Sequence, residues 1–523
     1  MSTTPASPLT VPIGRRQLLL AAGALVLAAC GSSTTSSTTT PTTADTGPTD
    51  PGPTGTGSGD TPGTNVTPGT VRGSTLWIPP LLTGPEFDLT IAPSSTQWFE
   101  GTPTATTTYN GAEFWGPTLL MRRGDHVTLH VTNGLDDETT THWHGFHIPA
   151  EMDGGPHQVI AAGETWSPSF EVKNLAATYW YHPHMHETTW QQMNLGAGGL
   201  IIVQDDDEAA LALPRTYGVD DVPLVLTSRK FVDDNAIDTA GIYGDVMLTN
   251  GVMAATVELP AQLVRFRILN AEIERAYDLG FADGRTFHVI GTDGGLVNTP
   301  VPMTRLVMAP GERYEIVVDL APDGAGGAVT MQAFNGGQAF GFPGGEPQTS
   351  GQFGSLLNDT TFDVLRIGVV DATADAITEL PDTLADHTSW TADDAVNVRS
   401  IAITDEGPGT PFTFDDMAYD MDTVAQTVVL DSIERWEITN GRTFSHSFHI
   451  HDVQFSLVSR STGPVGEHEK GWKDTVYVFK DEVVSFVAKF DDFASTEHPF
   501  MYHCHMANHE DEGLMGQFLV VPS

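Results

Sequence analysis

Four His-X-His pairs constrain this chain more than any other feature: His142-Trp143-His144, His182-Pro183-His184, His449-Ile450-His451 and His503-Cys504-His505. Alternate residues of a strand share a face, so each pair presents both imidazoles to one side of a strand or strand end. The members of the first set start 40 residues apart and those of the second 54. A duplicated domain whose two copies share an interface site explains that layout. Within His503-Cys504-His505 the thiol faces away from the imidazoles. A metal on Cys504 would then be joined by a short covalent path to another metal behind it, an arrangement that implies electron transfer.

The rest of the folded chain reads as strands. Val127-Thr128-Leu129-His130-Val131 alternates, and short apolar runs recur at 199–203, 265–269, 314–318, 436–438, 483–487 and 518–521, separated by Gly, Pro, Asn and Asp. Many short strands between turn signals predict β-sandwiches. With 523 residues the chain exceeds one ordinary core. An acidic turn at Asp205-Asp206-Asp207 and a Pro/Asp/Ala-rich stretch at 371–395 divide it into expected domains at 73–205, 206–370 and 371–523. The paired histidines all fall in the outer two, and 206–370 holds only His288.

Lys+Arg number 24 against 67 Asp+Glu, a formal net charge of −43. That charge repels nucleic acid phosphates and anionic membrane surfaces. Two cysteines, one of them at position 30, make no disulfide framework. Arg15-Arg16 ahead of a short apolar run to Ala29 resembles a twin-arginine export signal. Leu27-Ala28-Ala29-Cys30-Gly31 resembles a lipoprotein processing site, so residues 1–30 are expected to be a signal segment with Cys30 lipidated. Residues 31–72, nearly all Ser, Thr, Pro, Gly and Asp, read as a disordered tether. The expected location is the cell envelope, with the lipid anchor as the membrane contact.

His446, three residues before His449, and His509, five after Cys504, complete a His2Cys set. Trigonal His2Cys suits blue-copper electron transfer; zinc prefers a fourth ligand or an open water position and stays open on these grounds.

Taken together, Thr141-His142-Trp143-His144-Gly145, Trp180-Tyr181-His182-Pro183-His184, His446-Ser447-Phe448-His449-Ile450-His451 and His503-Cys504-His505 with His509 resemble the four copper-binding motifs of multicopper oxidases. The likeness is to bacterial three-domain laccase-like and copper-resistance enzymes. It implies an all-β chain of three cupredoxin-like Greek-key β-sandwich domains. It implies four coppers: type 1 on His446, Cys504 and His509; type 2 on His142 and His449; a type 3 pair on His144, His182, His184, His451, His503 and His505. It implies four-electron reduction of dioxygen to water, with electrons passing from Cys504 to His503 and His505. Asp153 and Glu510 match acidic positions used for proton delivery. The axial type 1 position is Leu514, where copper-resistance relatives usually carry methionine. A non-coordinating leucine predicts a raised copper potential, and Met515 beside it should point elsewhere. His186 is expected to support the ligands, His157 to sit in a loop near them, and His126, His130, His288, His387, His468 and His498 to be structural or surface residues.

The reducing substrate is the open end of this reading. A phenol or aromatic amine is the default for a laccase-like site. A metal cation such as Cu(I), Mn(II) or Fe(II) is the alternative, as is a non-enzymatic copper-binding envelope protein. Met417 and Met421 form no dense methionine run and read as strand and turn.

Overall fold

The computed structural model describes residues 71–523 apart from 113, 350 and 406–409. The signal segment, Cys30 and residues 31–70 of the tether lie outside the described residues. Arg72 is already anchored, its N–H donating to Gln97 O at 2.7 Å.

One plan recurs three times along the chain. In each unit an early strand lies parallel to a later one in one sheet, and a second such pair closes the facing sheet. Glu86–Thr96 with His126–Asn133 and Thr118–Arg122 with Gly199–Gln204 form the first set. Asp221–Arg229 with Leu263–Asn270 and Thr256–Pro260 with Thr361–Val370 form the second. Asn397–Asp405 with Ser432–Asn440 and Gln426–Val429 with Met515–Val521 form the third. Most other ladders are antiparallel. A parallel neighbour needs a chain that crosses from one sheet to the other, which is how a Greek-key sandwich is closed. The result is three cupredoxin-like sandwiches.

Each sandwich has its own core. Leu89, Leu129, Trp143 and Ile201 pack between the sheets of the first. Val264, Phe266 and Ile268 do so in the central one, and Trp436, Phe448 and Phe486 in the last. Burying each of these side chains stabilises the fold by roughly 1.5–3 kcal/mol. The strand Ser432–Asn440 alternates buried with half-buried residues, as a one-sided strand should. Asp221–Arg229 and Leu263–Asn270 are buried along their whole length, because the central sheet is also covered on its outer face. That face is polar: Arg267 binds Asp221 and Glu315, and reaches Thr178 of the first sandwich at 3.2 Å.

The structure corrects one expectation. The acidic turn at 205–207 is a short helix, Asp206–Ala209, whose N-cap Asp205 accepts the N–H of Glu208 at 2.8 Å. Three acids in its first turn suit the positive end of the helix.

Candidate metal centre

Two paired strands feed two donor sets. His446–Ile450 and Phe500–Cys504 run antiparallel, with Phe448 opposite Cys504 and His449 opposite His503. His446 and His449 are an odd number of residues apart and leave opposite faces; so do Cys504 and His503. The thiol side of the pair carries one set and the other side carries the second.

On the thiol side, Cys504 Sγ lies 3.6 Å from His446 Nδ1 and 3.7 Å from His509 Nδ1, and those nitrogens are 3.2 Å apart. A point equidistant from the three lies roughly 2 Å from each, close to the usual 2.0–2.3 Å of metal–nitrogen and metal–sulfur bonds. His509 sits in the helix Ala507–Asp511. Around the set the protein is apolar: Leu514, Phe448 and Met506 share one buried cluster with Cys504. Met515 is aligned with His503 across the Phe500–Cys504 and Met515–Val521 ladder. Aligned residues share a face, so Met515 points away from Cys504.

On the far side eight imidazoles converge from the first and last sandwiches, each at most 1% exposed. Nε2 atoms of His184, His451 and His503 form a triangle with sides of 3.1, 3.2 and 3.3 Å. His144, His182 and His505 form another group, with His144 Nδ1 3.2 Å from His505 Nε2. His142 and His449 join His144 in a third. The Nε2 atoms of His142, His182 and His449 are buried without any hydrogen-bond partner. Unpaired buried nitrogens are costly, and a metal ion would satisfy them. Burial, the largest cause, holds His144, His182, His184, His446, His451 and His505 well below the usual histidine range, and His449 at about 4. Neutral imidazoles are the form that binds metal.

Carboxylates back the rings. Asp153 Oδ2 accepts from His451 Nδ1 at 2.6 Å, and its backbone oxygen accepts from His142 Nδ1 at 2.8 Å. Glu510 lies 3.2 Å from His184 Nδ1 and 3.1 Å from His503 Nδ1. Burial would raise the Glu510 carboxyl, but His184 and His503 hold it down at about 2. Neither acid is an ordinary solvated side chain: Asp153 is 2% and Glu510 1% exposed.

Three contributors had no signal in the motifs. Asp474 accepts from His144 Nε2 at 3.1 Å, and its backbone oxygen accepts from His449 Nδ1 at 2.9 Å. Its one sequence clue is a Lys-Asp pair at the head of the buried strand Thr475–Val478. Glu274, from the central sandwich, lies 3.1 Å from His509 Nε2 and keeps its other oxygen unpartnered. His147 bridges to the last sandwich through Asp452, at 2.8 Å. Of the other histidines, His186 packs on the Tyr419 ring at 5.0 Å. His157 pairs with Gln517 at 2.7 Å. Met417 and Met421 are both exposed.

Three family models, each described as multicopper oxidase, match residues 91–208, 234–339 and 387–523. The chain belongs to the multicopper oxidase family. It is 30% identical over 422 residues to the cell division protein FtsP of Xenorhabdus nematophila, spanning 78% of this chain and 84% of that one. It is 29% identical to the multicopper oxidase mco of Staphylococcus aureus, over 81% of this chain and 86% of that one. Among solved structures it resembles a bacterial laccase-like multi-copper oxidase from Ochrobactrum sp. with oxidase activity towards lignin model compounds. There the TM-score is 0.76 at 33% identity, covering 85% of this chain and all of that one.

Proposed function

We propose that this chain is a laccase-like copper oxidoreductase that couples one-electron oxidation of phenols or aromatic amines to four-electron reduction of dioxygen to water. The observation that carries the reading is the complete donor set: three close groups of buried histidines and one His2Cys triangle, with unpartnered nitrogens among them. His446, Cys504 and His509 would hold a type 1 copper. His142 and His449 would hold a type 2 copper, and His144, His182, His184, His451, His503 and His505 a type 3 pair. The bound coppers would supply one-electron acceptance at the first site and multi-electron delivery to dioxygen at the second.

The chain's own residues do the rest. Consecutive peptide units join Cys504 to His503 and His505, so the route between the sites is covalent throughout. Asp153 accepts from His142 and His451, Glu510 places its charge beside His184 and His503, and both acids stand where protons would be consumed. Leu514 offers no donor atom. Glu274 lies 3.1 Å from His509 Nε2 and orients the least buried of the three thiol-side ligands. A metal-cation oxidase stands as the second reading, which oxygen uptake on Cu(I), Mn(II) or Fe(II) against a phenol separates. In this reading the three units span 73–205, 206–370 and 371–523, and the chain is exported and lipidated at Cys30.

Copper content with an absorption spectrum and oxygen uptake tests it. About four coppers per chain, an intense blue band and phenol-dependent oxygen uptake are expected. Fewer than two coppers would sink it. Four coppers without uptake on a phenol, Cu(I), Mn(II) or Fe(II) would favour a non-enzymatic role.

A further inference from the structure

The central sandwich lends no side chain to either donor set, yet one of its arginines reaches the histidine cluster. Five cluster histidines point Nδ1 at an acceptor: His142 at Asp153 O, His182 at Pro183 O, His449 at Asp474 O, His451 at Asp153 Oδ2 and His503 at Cys504 O. Their Nε2 atoms are left for the cluster. His144 is reversed. Its Nε2 donates to Asp474 Oδ1 at 3.1 Å, and its Nδ1 faces His505. A carboxylate can only accept, so the direction of Asp474 decides which nitrogen of His144 carries the proton.

Asp474 does not choose that direction alone. Arg313 grips it with two donors, Nη1 to Oδ1 at 2.7 Å and Nη2 to Oδ2 at 2.6 Å. Such a fork fixes the plane of a carboxylate as well as its place. Arg313 is itself pinned from several sides. Its Nε donates to Thr178 O of the first sandwich at 3.1 Å. Nη1 donates to Gly311 O at 3.1 Å and Nη2 to Asp293 O at 2.9 Å, both in the central sandwich. Arg313 and Asp474 are each fully buried. One guanidinium thus touches all three units and points the acceptor at His144.

We infer that Arg313 is a positioning residue: through Asp474 it sets the tautomer of His144, so that Nδ1 rather than Nε2 is offered to the cluster. The consequence for metal rests on the copper reading of the site; the tautomer does not.

The test therefore starts with the copper-free full-length chain. Two-bond nitrogen–proton correlation spectra of histidine-labelled protein read the tautomer, with the His144 signals assigned by their loss in His144→Gln. Wild type should show His144 protonated on Nε2. Arg313→Lys keeps the charge but loses the fork. It should shift His144 to the Nδ1–H form or to a mixture, with the blue band of the reloaded protein unchanged. Copper affinity at the cluster should fall about 10–100-fold by chelator competition, the usual effect of losing an outer partner of a ligand. Asp474→Asn provides a second variant if the first does not fold: its amide can turn a donor toward His144, and a mixed tautomer is expected. His144 unchanged on Nε2 in a folded variant would overturn the inference, whether or not the protein oxidises any substrate.

Discussion

The two donor sets lie back to back on one strand pair and are built by different means. The Cys504 set takes its ligands from a single sandwich, and apart from Glu274 on His509 its surroundings are apolar: Leu514, Phe448 and Met506, with the Phe412 ring 4.0 Å from that of His509. The histidine cluster needs two sandwiches, and its surroundings are acidic: Asp153, Glu510 and Asp474. An apolar shell leaves few groups to move protons and lets small changes in ligation set a potential. An acidic shell orients rings and supplies protons, at the cost of tying the site to how the units dock. Cys504→Ser should separate the two most sharply. It removes the thiolate, so the blue band should vanish and turnover of the reducing substrate should fall to background. Copper content should drop by one and no further. Loss of the cluster copper as well, by metal analysis, would show that the sets are not independent.

Glu510→Gln strikes the other side. The amide keeps the size but removes the negative charge that sits 3.2 Å from His184 Nδ1 and 3.1 Å from His503 Nδ1. Oxygen reduction should slow roughly 10–100-fold, in the range for outer partners of metal ligands, with the blue band intact. Unchanged reoxidation of the reduced protein by dioxygen would reject the role.

The same contrast explains what the sequence revealed. His-X-His spacing, the lone folded-region cysteine and the two extra histidines are local patterns, and period-two geometry turns them into shared faces directly. Turn residues and short apolar runs likewise announced the sandwiches. Asp474 and His144 are 330 positions apart, and Glu274 and His509 are 235 apart, in different sandwiches. Nothing local marks such pairs, because a buried carboxylate is bought by a partner that only the docking of units supplies. The helix at Asp206–Ala209 was missed for another reason: acids suit both a turn and a helix N-terminus, and only the Asp205 cap decides.

Docking itself has a pH-sensitive tie. His147 of the first sandwich faces Asp452, Asp491 and Asp492 of the last, with Lys173 also on Asp492 and the Phe493 ring alongside. Burial alone would lower its pKa, but Asp452 and then Asp492 carry it up to about 9. A histidine raised above its unfolded value stabilises fully below that value, near 6.5, and loses the contribution as pH climbs through about 9. Burial pushes the Asp452 carboxyl up to about 6, which offsets part of what His147 contributes, so the direction of the pH dependence is the firm expectation. Thermal melts of the copper-free chain from pH 7 to 10 should show wild type losing its advantage over His147→Asn. Parallel pH curves for the two proteins would remove His147 from the interface account.

The smallest effect should come from Leu514→Met, and it asks whether the apolar shell tunes the thiol-side metal. Leucine and methionine have similar volumes, so the swap in this buried cluster should cost under about 1.5 kcal/mol. The thioether would bring a weak donor toward the copper. Such a donor favours the oxidised ion and should lower the potential read by redox titration of the blue band. Turnover of an easily oxidised phenol should change only a few-fold, because oxygen reduction on the other face is untouched. Met515→Leu is the matched control. Met515 shares the face of His503, so its loss should leave the potential where it was. If Leu514→Met leaves the potential unmoved while Met515→Leu shifts it, the axial position belongs to residue 515, and the strand faces must be reassigned.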